Sequence, residues 1–169
     1  TIFSDVAADH WASGYINIAV EKGLLKGYPD GTFAPEAEVT YAESITILVR
    51  LLGYGPTVEV AGTWPSNYIA KAAALGLTKN VAVVGAAPAT RGNVAILADN
   101  ALETPMWGES GYDSQGKVTY GPTGNTVLSE LGITGARLVA NQTVTATPLL
   151  GGVAPGKVVA GGKTYKFAG

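Results

Sequence analysis

The chain has 169 residues, 47% of them hydrophobic and 14% charged, with eleven basic and thirteen acidic side chains giving a net charge of −2. That length buries a real core in one extended or two small domains, and the mixed charges form no basic run, which argues against a nucleic-acid surface. Without cysteine there are no disulfides or thiolate metal sites, and the longest apolar stretch, near residues 81–87, falls far short of the roughly 20 residues a membrane-crossing helix needs.

The chain opens at Thr1 rather than Met, which points either to a removed signal peptide or to a trimmed longer protein. Residues 12–22 carry Tyr15, Ile16, Ala19 and Val20 at helical spacing, with Gly23 as the left-handed residue that closes the helix. The run Gly27-Tyr28-Pro29-Asp30-Gly31-Thr32-Phe33 is turn chemistry, Pro29 presetting φ and Gly31 taking the reversal. A second helix starts at Thr40 and Glu43, a capping box in which each side chain bonds the other's backbone N–H. Its core face is Ile45, Leu48, Val49 and Leu52, and Gly53 stops it.

The same unit is then written again. Trp11-Ala12-Ser13-Gly14-Tyr15-Ile16 returns as Trp64-Pro65-Ser66-Asn67-Tyr68-Ile69 at an offset of 53, in step through Gly23 and Gly76, Leu24 and Leu77, Lys26 and Lys79. The match resumes at an offset of 50, Thr40 facing Thr90 and Leu52 facing Leu102, so the loop between the helices is three residues shorter in the copy. There Thr90 still caps, Asn93 replaces the glutamate, and the helix over 91–102 buries the smaller Val94, Leu97, Ala98 and Ala101. A repeat of this period buries its apolar face against its neighbours, which points to a stacking or interaction protein before an enzyme.

From Glu103 the composition turns to glycine, threonine, valine and proline. Residues 117–120 read as a strand, 126–131 as a short helix, 137–140 and 142–146 as alternating strands, and 157–160 with 163–167 as a hairpin across Gly161-Gly162. The expected fold class is α+β, with helix-loop-helix repeats at 1–54 and 55–103 followed by a small β-rich module at 104–169. The module has few large residues, and short sheets leave edges that invite another strand; Thr143, Val144, Thr145, Lys163, Tyr165 and Phe167 are the expected assembly interface.

Phe3-Ser4-Asp5-Val6, Trp11, the run from Gly23 to Pro35, and Val39-Thr40-Tyr41-Ala42-Glu43 resemble the motifs of the S-layer homology repeat, in order. The second repeat is similar but degenerate, keeping Trp64, Gly76-Leu77 and Pro88-Ala89-Thr90-Arg91, so the resemblance covers about residues 1–103. It implies an extracellular module at the bacterial surface that commonly binds pyruvylated secondary cell-wall polysaccharide, usually with three repeats around a pseudo-threefold axis and glycan grooves between them. It also implies an arginine after the capping threonine, where a guanidinium pairs with the ketal carboxylate. That position is Tyr41 in the first repeat and Arg91 in the second. The expected glycan-binding residues are therefore Arg91, Thr90, Trp64, Trp11 and Tyr41, and no third repeat follows.

Each conspicuous residue also has a plainer role. Trp11 and Trp64 stack on sugars if exposed, but a Trp at a helix entry more often fills the core. Asp30-Gly31 lacks the following acidic ligands of a calcium loop, since Thr32 and Ala34 stand there, and reads as a turn. Trp107, Tyr112 and Tyr120 form either a contact patch or the filling of a sparse β core. His10, the single histidine, reads as a polar residue at a helix entry, while Glu36 and Glu38 favour the following helix N-terminus without catalysis. No metal, cofactor or enzyme chemistry is expected. The resulting expectation is a secreted bacterial surface structural protein that self-assembles into a layer or filament with copies of itself. The alternative is a wall-anchoring module that binds pyruvylated polysaccharide.

Overall fold

The computed structural model describes residues 2–133 in full and, beyond them, the backbone of residues 144–146, 157–160 and 163–166. The chain is mixed α+β and divides into two compact units, Thr1–Glu130 and Leu131–Gly169.

In the first unit the helices follow the repeat. Helix α1 (Ser13–Glu21) is closed by Gly23 at φ 70°, whose amide bonds Val20 O at 2.9 Å while that of Leu24 bonds Ala19 O at 2.8 Å. Helix α2 (Tyr41–Leu51) carries the expected capping box, in which Glu43 Oε2 accepts from the Thr40 amide at 2.8 Å and Thr40 Oγ1 accepts from the Glu43 amide at 3.3 Å. Helix α3 (Gly55–Glu59) follows, with Pro56 in its first turn, where a missing N–H costs nothing. Helices α4 (Ser66–Ala74) and α5 (Arg91–Leu102) repeat the α1–α2 pair, and Thr90 Oγ1 caps α5 by accepting from the Asn93 amide at 3.2 Å.

Helix α2 is central, packing against α3, α4 and α5. Its Ile45 and Val49, with Leu52 just past its end, are fully buried with Tyr54, Val58, Tyr68, Ala72, Leu77 and Leu97 in the main core. Phe3, Val6 and Ile16 make a smaller cluster under α1. The repeats are also stitched at the α2 entrance, where the amides of Tyr41 and Ala42 donate to Ala87 O at 3.1 Å and Gly85 O at 3.0 Å, and Ala89 N donates to Val39 O at 2.8 Å.

A hairpin of β1 (Trp107–Tyr112) and β2 (Val118–Pro122) joins this unit through Trp107, whose amide donates to Leu52 O at 2.7 Å and whose ring lies 5.4 Å from Tyr54. Gly53, at φ 84°, passes directly beneath the Trp107 carbonyl, where no Cβ fits. Trp107 thus fills core, whereas Tyr112 and Tyr120 are exposed. The short helix α6 (Val127–Glu130) falls where the sequence places it.

The second unit holds an antiparallel sheet in the order β3-β4-β5, from β3 (Val144–Ala146), β4 (Lys157–Ala160) and β5 (Lys163–Lys166). Of the expected assembly residues, Val144 and Thr145 lie on β3 and Lys163 and Tyr165 on β5, the two edge strands of that sheet. Thr143, Phe167, residues 137–140 and Gly161-Gly162 lie outside the described residues.

Two expectations need correction. Trp11 and Trp64 do not fill the core: they are 81% and 53% exposed, because each stands in the turn before its helix and not on the buried face. Tyr15, expected on the core face of α1, is also exposed, since that helix turns Ile16 toward Phe3 and Val6. No helix among the described residues is long and apolar enough to cross a membrane.

Candidate functional site

The five expected glycan residues fall in three places. Thr90 and Arg91 stand at the α5 N-terminus, the threonine committed to capping and the arginine exposed. Tyr41 is nearby but buried, its hydroxyl accepting a hydrogen bond from Asn93 Nδ2. The Tyr41 ring is therefore part of the packing between repeats.

The two capped helix ends differ in what they leave open. At α2 the amides of Tyr41, Ala42 and Glu43 are all taken, by Ala87 O, Gly85 O and Thr40 Oγ1. At α5 only the Asn93 amide is taken, and the amides of Arg91 and Gly92 find no acceptor among the described residues. Open first-turn amides and the helix dipole favour an anion. Arg91 pairs with no carboxylate among the described residues.

Trp64 stands elsewhere. Its indole Nε1 donates to Thr46 Oγ1 at 3.0 Å, which fixes the ring at one wall of an open groove of about 510 Å³. The loop from Leu24 to Val39 and the α2 residues Glu43, Thr46, Ile47 and Arg50 form the rest. At 100° per residue, Tyr41 lies on the opposite side of α2 from the groove-facing Glu43, Ile47 and Arg50, while Val39 at the groove's edge accepts from the Ala89 amide just before the α5 end. Trp11 joins neither place; its nearest aromatic neighbour is His10, with ring centroids 5.9 Å apart.

Sequence reasoning missed the groove's polar frame. Glu59 Oε1 accepts from Lys26 Nζ at 2.9 Å, Tyr68 Oη at 2.9 Å and Arg50 Nη2 at 3.1 Å, which ties the first loop, α2, α3 and α4 together. The Lys26 ammonium above all, then the Tyr68 hydroxyl and Arg50, pull the Glu59 carboxyl down to about 2. Arg50 also donates to Tyr68 Oη at 3.2 Å and Leu24 O at 3.3 Å. Partial burial works to raise the Glu43 carboxyl, but bonds from the Thr40 amide, the Thr40 hydroxyl and the Tyr28 phenol outweigh it and leave it low. The one available signal was the repeat itself, because Tyr68 is the counterpart of Tyr15 and a polar tip on a core position needs partners.

Residues 2–43 match the family model of the S-layer homology domain. This segment is an S-layer homology domain. Over 119 residues, 69% of this chain, the sequence is 38% identical to the middle cell wall protein of Brevibacillus brevis, covering 11% of that protein. It is 41% identical over 81 residues, 48% of this chain, to the surface layer protein of Brevibacillus choshinensis, covering 7% of it. Over 47 residues, 28% of this chain, it is 51% identical to the cellulosome-anchoring protein of Acetivibrio thermocellus, covering 10% of it. The chain thus spans about a tenth of the length of these relatives. The S-layer homology domain and its relatives place the chain outside the cell, at the bacterial surface, and point to a non-enzymatic surface protein. Among the described residues no cluster of three His, Asp or Glu side chains could hold a metal ion.

Proposed function

We propose that the chain is a structural module of the bacterial surface that holds an acidic wall polysaccharide at the α5 N-terminus, with Arg91 as its cation. The observation that carries this reading is the exposed Arg91, without a carboxylate partner among the described residues, beside amides that the equivalent end of α2 has already used. A ketal carboxylate offers two oxygens to a guanidinium fork, and the amides of Arg91 and Gly92 add donors on the same side. One relative is named a cellulosome-anchoring protein, in keeping with attachment as the task of such repeats.

The test is co-sedimentation with glycan-retaining cell walls. Wild-type chain pellets with walls, and Arg91→Ala loses that binding while its helical circular dichroism stays unchanged. Equal pelleting by the variant removes Arg91 from the site.

Self-assembly is a second reading, supported by a different feature. Trp11, Tyr15 and Ile18 form an exposed apolar line along the α1 side of the molecule, of a kind that marks contact with another protein surface. Among the described residues β3 and β5 are the outer strands of their sheet, a position that offers strand addition as well. Ordered sediment from the chain without walls supports this reading, and a chain that stays monomeric at high concentration ends it.

A further inference from the structure

We propose that α1 is a docking face for α1 of a second copy, the two helices packing antiparallel about a twofold axis near Tyr15. The inference rests on the self-assembly reading above and gives that reading its partner and its geometry. Tyr15, Ile18 and Lys22 follow one another at helical spacing, and Trp11, in the turn that leads into α1, continues the stripe one turn earlier. All four are exposed, while Ile16 on the other side holds the helix to Phe3 and Val6.

The second repeat shows what a stripe at these positions does. Its counterparts in α4 lie against α2 and the turn that follows it. Trp64 bonds Thr46, the Tyr68 hydroxyl accepts from Arg50 Nε at 3.2 Å, the Lys71 ammonium stands 5.1 Å from the Tyr54 ring centroid, and Leu75 packs on the main core. The stripe is thus a helix-packing face. In a head-to-tail stack of copies α5 would have to receive it, yet α5 carries Ile96, Asp99 and Asn100 where α2 carries Thr46, Val49 and Arg50. Asp99 is exposed where Val49 is fully buried, and Asn100 is already bonded to Leu77 O at 2.8 Å and Lys79 O at 2.9 Å. An apolar stripe laid there would bury a lone carboxylate.

Another α1 meets no such cost. An exposed Asp9 precedes Trp11 and the exposed Lys22 stands one turn past Ile18, and neither is in an ion pair among the described residues. Antiparallel pairing sets Asp9 of each copy beside Lys22 of the other, Trp11 near Ile18, and the positive end of each helix near the negative end of its partner, whereas parallel pairing sets like charges together. Glu21 lies about 90° round the helix from the stripe, outside the contact. Gly14 borders the stripe with open space where a side chain would stand, which lets the two backbones come close. Such a contact is self-complementary and closes at two copies. Two helices of nine residues bury little area, so the pair forms at high protein concentration and the dilute chain stays monomeric.

The experiment is sedimentation equilibrium of the full chain over a range of concentrations, with circular dichroism as the check on folding. The wild type is expected to reach the mass of a dimer, and Ile18→Glu, which sets a carboxylate of each copy against the apolar stripe, to lose that association with its helical signal unchanged. Lys22→Glu is expected to weaken pairing by about five-fold, and Asp9→Lys added to it to restore the wild-type strength, because opposite charges then face each other again. The chain has no cysteine, so Tyr15→Cys probes the axis directly. Under mild oxidation it is expected to cross-link two copies faster than Val60→Cys, at an exposed position beyond α3. Association indifferent to Ile18→Glu, a double charge exchange that restores nothing, or equal cross-linking at both positions overturns the α1 pairing and leaves self-assembly to another surface. A chain that is monomeric at every concentration overturns both.

Discussion

A single carboxylate, Glu59, joins four segments of the helical unit, and its influence shows in the response to acid. Its folded pKa, about 2, lies below the ordinary 4.5. A depressed carboxylate stabilises the fold fully above its unfolded pKa, and that stability is lost as pH falls through the folded value. The loss therefore falls between about pH 4.5 and 2. The Glu59 side chain is 41% exposed, so solvent screening limits the effect to about 1 kcal/mol. Glu59→Gln is expected to lower stability by that amount at neutral pH and to flatten the acid limb of a urea-midpoint profile. A variant with the wild-type acid limb would show the ion pairs to be energetically idle.

At the scale of elements, α1 and α4 are the same helix in sequence and different helices in position. Tyr68 is 2% exposed, its hydroxyl between Arg50 and Glu59, while its counterpart Tyr15 is 73% exposed. Truncating a buried aromatic residue costs about 3–5 kcal/mol, and an exposed one stays within about 0.5 kcal/mol. Tyr68→Ala is therefore expected to destabilise severely and Tyr15→Ala hardly at all, as read by thermal unfolding. Similar losses for both would mean that α1 is covered in solution.

That contrast also marks how far the sequence could be read. Helices α1, α2, α4 and α5 were legible from 3.6-residue spacing, glycine stops and the two capping threonines, all of which are local signals. Helix α3 was missed because Gly55-Pro56 looks like a break, although Pro in a first turn is also a helix start. Strand β1 was missed because Gly108-Glu109-Ser110-Gly111 lacks apolar alternation; backbone pairing to β2 and the Trp107 anchor hold it instead. The α5 end was visible as Thr90-Arg91, but the groove was not, since Lys26, Glu38, Thr46, Arg50, Glu59 and Trp64 meet only through tertiary packing.

At the scale of the whole molecule, among the described residues every member of both apolar cores lies before Glu130. A chain ending at Glu130 is expected to keep the helical circular dichroism and a single cooperative melting transition. A chain ending at Ala61 keeps all of the first repeat yet is expected to lose cooperative folding, because Ile45, Val49 and Leu52 then face water without Tyr68, Leu77 and Leu97. A cooperative melt from the shorter chain would show the first repeat to be self-sufficient.

The stitch between the repeats has a consequence for how such proteins change over time. The α2 entrance is closed by carbonyls of Gly85 and Ala87, which belong to the other repeat. A recombination break between residues 54 and 64 would look harmless on the sequence, since it separates one written copy from the next. It would strand two backbone donors and half of a core. The coupled pair, and not either written copy alone, is the unit such a swap has to carry intact.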